Sequence, residues 1–134
     1  MVNLSDLFQE SRVYHPGQII TREGEKDRDL YVLSEGTLQV LVKGDDGDVV
    51  VSEIYPPEII GEISFLNGSP RTATIKAKTQ VKVYILSYYK VEQELAEIPP
   101  WFKLILRTLT QRMQSCSMKI KEMEEELRQI KGTL

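Results

Sequence analysis

Hydrophobic positions along this chain follow two periods, and the change falls near residue 87. From Gly17 to Leu86 the apolar residues come in short runs punctuated by glycine. Gln18–Thr21, Asp29–Leu33, Thr37–Val42, Asp48–Ile54, Ala73–Ala77 and Val81–Leu86 all read as strands. Thr37–Val42 and Lys82–Leu86 show the partial alternation of half-buried strands. Glu35-Gly36 and Asp45-Asp46-Gly47-Asp48 are turn chemistry, and the second set predicts a hairpin between Val42 and Val49. Many short strands at regular spacing predict a mainly β protein with some α: an antiparallel, jelly-roll-like β-roll.

Helices flank this region. The first ten or so residues predict one short amphipathic helix, with Asn3 or Ser5 as N-cap and Leu4, Leu7 and Phe8 on one face. His15-Pro16-Gly17 ends it. Ser87 is the expected N-cap of a helix over Tyr88–Glu97. Pro99-Pro100 separates that helix from a long one predicted over Trp101–Lys131, with Pro100 in its first turn and Gly132 at its end. Phe102, Leu106, Leu109, Met113, Cys116, Ile120, Met123, Leu127, Ile130 and Leu134 are spaced alternately by 4 and 3, an a/d heptad series. A helix this long cannot bury its far end on a roll roughly 30 Å across. From Ile120 onward it needs a partner, most simply a second copy in parallel. Trp101, Leu104 and Ile105 widen the apolar face near the start and are expected to dock on the roll. The predicted organisation is one domain: a roll with N-terminal and hinge helices over 1–100, and a C-terminal dimerisation helix over 101–134.

Composition narrows the function classes. With 134 residues, 41% hydrophobic and 28% charged, the chain has material for one modest core without disulfides or metals. A net charge of −3 argues against a broad nucleic-acid surface. No apolar stretch approaches the roughly 20 residues of a membrane helix, and the N-terminus lacks the features of a secretory signal. The single cysteine, Cys116, suits a reducing cytoplasm. With His15 as the one histidine, a zinc site within one chain is not expected, nor the multi-histidine site of a metal-binding β-roll enzyme. Cys116 lies on an apolar seam without a nearby histidine, which argues against nucleophilic catalysis. The expectation is a binding module, not an enzyme, with no resident cofactor.

Ile60-Gly61-Glu62-Ile63-Ser64-Phe65-Leu66-Asn67-Gly68-Ser69-Pro70-Arg71-Thr72-Ala73-Thr74 interrupts the strand pattern. Gly61 allows close backbone approach, and Glu62–Leu66 predicts one helical turn whose first N–H groups point outward, which suits a phosphate. Arg71 adds a bidentate, charge-assisted grip, and Glu62 can accept from a sugar hydroxyl. Spacing alone leaves a second reading open, a surface loop with a Glu62–Arg71 ion pair.

The same string resembles the phosphate-binding cassette of the cyclic-nucleotide-binding domain family. That family includes the bacterial catabolite activator protein, the regulatory subunits of cyclic-nucleotide-dependent kinases and cyclic-nucleotide-gated channels. GQIITREGEKDRDLYVLSEGTLQVLV resembles the family's opening strands, and AKTQVKVYILSYYKVEQELAEIPP its closing strands and hinge helix. The resemblance implies that Glu62 holds the ribose 2′-hydroxyl and Arg71 the cyclic phosphate. Gly61 and the backbone amides of Ile63, Ser64 and Thr72 would complete the cradle, with the Thr72 hydroxyl as a further donor that could also meet a guanine amino group. RMQSCSMKI resembles the activator's adenine-capping segment, with Cys116-Ser117 where the activator has Thr-Ser. Cys116 is a poor hydrogen-bond partner for adenine, while Ser117 of a second subunit remains in reach. The implied protein is a homodimeric cytoplasmic sensor of cyclic AMP or cyclic GMP, with no direct nucleic-acid or membrane contact and an unidentified effector. The activator continues into a helix-turn-helix domain, which nothing in these 134 residues is expected to supply; the chain is either a free-standing module or a fragment of a larger protein. The competing expectation is a β-roll interaction module whose pocket is empty or takes another small anion.

Overall fold

The computed structural model describes residues 10–112 together with 123, 126 and 127. Strand alternation decides which faces are buried. In β8 (Val81–Leu86), Val81, Val83 and Ile85 are at most 1% exposed while Lys82 and Tyr84 are only half-buried. β8 pairs antiparallel with β1 (Glu10–Tyr14) on one side and β3 (Leu30–Glu35) on the other, and β6 (Glu58–Ile60) completes the sheet in the order β1-β8-β3-β6. The second sheet has the order β2-β7-β4-β5, from β2 (Ile19–Thr21), β4 (Leu38–Gly44), β5 (Gly47–Ile54) and β7 (Thr74–Ala77). Every pairing is antiparallel, so the eight strands form two four-stranded sheets of a β-roll. The predicted hairpin is present, with Val42 opposite Val49 and Gly44 opposite Gly47.

The main core lies between the sheets, built on Tyr31, Leu33, Leu38, Ile60, Ile75, Ala77, Val81, Val83 and Ile85. Each fully buried aliphatic side chain contributes about 1.5–3 kcal/mol. A second, smaller cluster of Phe65, Leu86 and Val91 joins the roll to two helices, α1 (Glu62–Asn67) and α2 (Tyr88–Ala96). Three buried residues against nine make this junction the softer part of the molecule. After Pro99 a helix runs over 100–112, opened by bonds from the Phe102 and Lys103 amides to the Pro99 carbonyl. No helix among the described residues is long and apolar enough to cross a membrane.

The structure departs from the sequence reading in four places. Residues 10–14 are not the tail of a helix but the edge strand β1, because β8 offers an open row of hydrogen-bonding groups; Leu4, Leu7 and Phe8 lie outside the described residues. β6 is an unforeseen strand of three residues that follows the cis Pro56–Pro57 bond. Ser87 occupies the N-cap of α2 but makes no side-chain capping bond. Trp101, Leu104 and Ile105 do not dock on the roll: they are 65%, 62% and 47% exposed. Leu106 and Thr110 instead face a groove shared with Tyr88, Leu95 and Ile98, and Thr110 is fully buried. Of the seam positions, Phe102, Leu109, Met123 and Leu127 are exposed; Met113, Cys116, Ile120, Ile130 and Leu134 lie outside the described residues.

Candidate functional site

β6 runs into α1 through Gly61, and that junction opens the site. Gly61 has φ 86°, a conformation glycine adopts without a steric cost. A Cβ there would lie 2.1 Å from Nη1 of Arg71 and 3.2 Å from the Asp29 carbonyl oxygen. Glycine is therefore needed twice, for the turn and for the guanidinium beneath it. The first helical bond of α1 runs from Phe65 N–H to Gly61 O. The amides of Glu62, Ile63 and Ser64 are left without helical partners, as at any helix start.

Gly61, Glu62, Ile63, Ser64, Arg71 and Thr72 all line one hollow of about 160 Å3, walled further by Thr21, Ile60, Ala73 and Ile75. Six residues singled out from the cassette sequence therefore converge as expected. The Glu62–Arg71 ion pair of the competing reading does not form: Glu62 has no hydrogen-bond or ionic partner among the described residues. Glu62 lies on the wall of the hollow. Thr72 is exposed and Ser64 is buried at 3% exposure. Cys116 and Ser117, assigned near the base, lie outside the described residues.

Arg71 is 5% exposed, so its charge must be compensated inside the protein. Its Nε donates to Asp27 Oδ2 at 3.1 Å, and Nη2 donates both to Asp27 Oδ1 and to the Asp29 carbonyl, the latter at 2.6 Å. Nη1 donates to the Gly61 carbonyl at 3.1 Å. A guanidinium has five N–H donors; these bonds use four, and one on Nη1 remains. The ring of Tyr31 lies beneath, 5.7 Å from Cζ. The backbone of Arg71 is also tied to the β2–β3 loop, since its N–H donates to Glu25 O and its carbonyl accepts from Gly24 N–H, both at 2.8 Å.

Asp27, Asp29, Tyr31 and Thr21 were not identified from the sequence. A loop reading Glu25-Lys26-Asp27-Arg28-Asp29 resembles any solvated charged turn, and the partner of Arg71 lies 44 residues away. Burial raises the Asp27 carboxyl, but bonds from Arg71 and from the Thr21 hydroxyl (2.9 Å) outweigh it and hold the group below its ordinary value. Asp29 is raised by burial and by the nearby Asp27 charge. Burial, then the charges of Asp27 and Asp29, push the Tyr31 hydroxyl up, so it stays neutral. Among the described residues no group of three or more His, Cys, Asp or Glu gathers as metal ligands.

Comparison with known proteins agrees with this geometry. Residues 11–97 match the family model of the cyclic nucleotide-binding domain. Among curated relatives, a cyclic nucleotide-gated channel of Caenorhabditis elegans is 31% identical over 106 residues, covering 75% of this chain and 14% of the channel. A cAMP-dependent protein kinase regulatory subunit of Yarrowia lipolytica is 38% identical over 76 residues, 57% of this chain and 20% of the subunit. The cAMP-activated global transcriptional regulator CRP of Salmonella typhimurium is 29% identical over 109 residues, 80% of this chain and 52% of the regulator. The chain thus spans about half or less of the length of these relatives. Among solved structures, the cAMP-bound form of the EAL enzyme Bd1971 shares the fold with a TM-score of 0.71 at 24% identity, over 91% of this chain and 31% of that one. The N-terminal domain of a transcriptional regulator from Streptomyces coelicolor A3(2) gives a TM-score of 0.62 at 28% identity, over 83% and 78%. With the cassette residues gathered on one hollow and the family model matched from β1 to the end of α2, the chain belongs to the cyclic nucleotide-binding domain family.

Proposed function

We propose that the chain is a regulatory module that binds a cyclic mononucleotide, cyclic AMP or cyclic GMP, and acts as a homodimer through its C-terminal helix. One observation carries the reading. Among the described residues, a buried guanidinium with one unused N–H, a carboxylate without a partner and a turn of open amides line the same hollow. The cyclic phosphate takes the amides of Ile63, Ser64 and Thr72 and the remaining Nη1 donor of Arg71, while Glu62 accepts from the ribose 2′-hydroxyl. No bond is made or broken; the ligand is held and released.

The hollow's volume of about 160 Å3 is below the roughly 300 Å3 at which small-molecule pockets begin. It suits the sugar-phosphate end, with the base projecting beyond the roll. Base preference then belongs to the exposed Thr72 and to the C-terminal segment carrying Cys116 and Ser117. Closure of α1 on the phosphate shifts α2 and the start of the following helix about the Pro99-Pro100 hinge, provided the ligand binds one arrangement more tightly than the other.

Dimerisation is supported by the exposure of Phe102, Leu109, Met123 and Leu127 at a/d spacing. Four donors of Arg71 already spent within the protein favour one competing reading, a module whose pocket serves itself. Thermal unfolding with cyclic AMP, cyclic GMP and linear AMP separates the two. Ligand at a hundredfold over Kd stabilises by about 2.7 kcal/mol. A cyclic ligand that raises Tm where linear AMP does not supports the proposal, and no shift with either cyclic ligand removes it.

A further inference from the structure

Arg28 follows Asp27 in the chain, yet the two side chains hold opposite ends of the machinery. Asp27 grips the Arg71 guanidinium. Nη2 of Arg28 donates to the carbonyls of Phe65 and Leu66 at 2.9 and 3.2 Å, at the C-terminal end of α1. α1 has Glu62 in its first turn and no basic residue in its last. Arg28 supplies from the β2–β3 loop the cation that a helix C-terminus favours.

The same guanidinium lies over the ring of Tyr88, with Cζ 3.6 Å from the ring centroid. Tyr88 is the first residue of α2, and Phe65 meets it edge-on at 5.7 Å. Gly68 closes the helix at φ 74°, and a Cβ there would sit 3.2 Å from Arg28 Nη1. Nε of Arg28 and Oγ of Ser69 are buried without a hydrogen-bond partner among the described residues.

We propose that Arg28 is the positioning residue that carries the state of the phosphate site to the hinge helix; this rests on the cyclic-nucleotide reading above. The α1 amides and Arg71 respond to phosphate at one end. Displacing α1 moves the carbonyls to which Arg28 is bonded, and shifting Arg71 pulls on Asp27, the chain neighbour of Arg28. Either motion acts on the one plane stacked on Tyr88. The Phe65–Tyr88 ring contact is apolar and can slide; a guanidinium bonded through Nη2 to two carbonyls and stacked on a ring cannot move without taking both along.

Trp101, the sole tryptophan, is 65% exposed just beyond the hinge and reports its position by fluorescence. The unaltered chain is titrated first with cyclic AMP and cyclic GMP, by calorimetry and by Trp101 emission. Arg28→Ala and Arg28→Lys are expected to keep ligand affinity within about threefold while losing most of the Trp101 response, because neither side chain has a plane to stack on Tyr88. Tyr88→Phe should keep the full response, and Tyr88→Leu should lose it. A purely structural Arg28 gives the reverse: weaker binding, lower Tm and an undiminished Trp101 change at saturation, which overturns the inference. A silent Trp101 in an unaltered chain that binds also overturns it. Absence of binding heat from the unaltered chain removes the functional reading itself and this inference with it, and is seen before any variant is made.

Discussion

Arg71 carries more of the site than a phosphate ligand needs to. Its guanidinium is buried, shares Asp27 across two atoms, and lies under a glycine that tolerates no side chain. Arg71→Ala is expected to weaken cyclic-nucleotide binding by about 2–5 kcal/mol in calorimetry. The same change leaves Asp27 unpaired and should lower stability by about 2–4 kcal/mol in urea, less than for a fully buried pair because Asp27 is one-third exposed. Gly61→Ala should behave as a partial Arg71 knock-out, costing about 1–3 kcal/mol in stability and weakening binding. Gly17→Ala is the control: Gly17 has φ 91° but open space around it, so it bears backbone strain alone. The Asp27 carboxyl lies below its ordinary value of 3.8 in the folded protein. The stability it contributes is complete above that value and drains away as pH falls through the lower folded value. Asp29, raised, works the opposite way between 3.8 and its higher folded value. Urea unfolding of the unaltered chain and Asp27→Asn should therefore differ most near neutrality and converge as pH falls through the lowered folded value of Asp27.

α1 has six residues, too few for a helix to persist by itself in water. It is held by Phe65 packed with Leu86 and Val91 and by Gly68 closing onto Ser64 O. Phe65→Ala should cost about 3–5 kcal/mol in chemical denaturation, and should weaken ligand binding although Phe65 does not line the hollow. Cassette amides in a frayed turn no longer converge. β1 shows the converse relation between element and sequence. Glu10-Ser11-Arg12-Val13-Tyr14 has no period, Val13 is half exposed, and only Tyr14 reaches the core. Its strand conformation comes from the unfilled edge of β8.

Beyond the roll, helix 100–112 turns Leu106 and Thr110 toward α2 and leaves Trp101, Phe102, Ile105 and Leu109 on one exposed stripe. So broad an apolar stripe is unusual on a monomer and fits a partner surface. Sedimentation should give a dimer at micromolar concentration, and Leu109→Glu should shift it to monomer, since a charge at a seam position is left unpaired in the interface. A variant that dissociates yet binds ligand normally would assign the whole sugar-phosphate site to one copy.

Local rules were enough for β2, β3, β4, β5, β7, β8, both helical turns at Glu62 and Tyr88, and the Val42–Val49 hairpin, because alternation, turn glycines and prolines act over a few residues. The cassette residues, too, lie within twelve positions of one another, from Gly61 to Thr72. What those rules could not supply were the partners: Asp27 for Arg71, Arg28 for α1 and Tyr88, β8 for β1, and the outward face of Trp101. Each depends on which distant segment happens to lie alongside once two sheets have closed on a shared core. A charge in a loop has no readable role until the fold brings its counter-charge within 3 Å or so, and an apolar residue on a helix is core or surface only according to what packs against it.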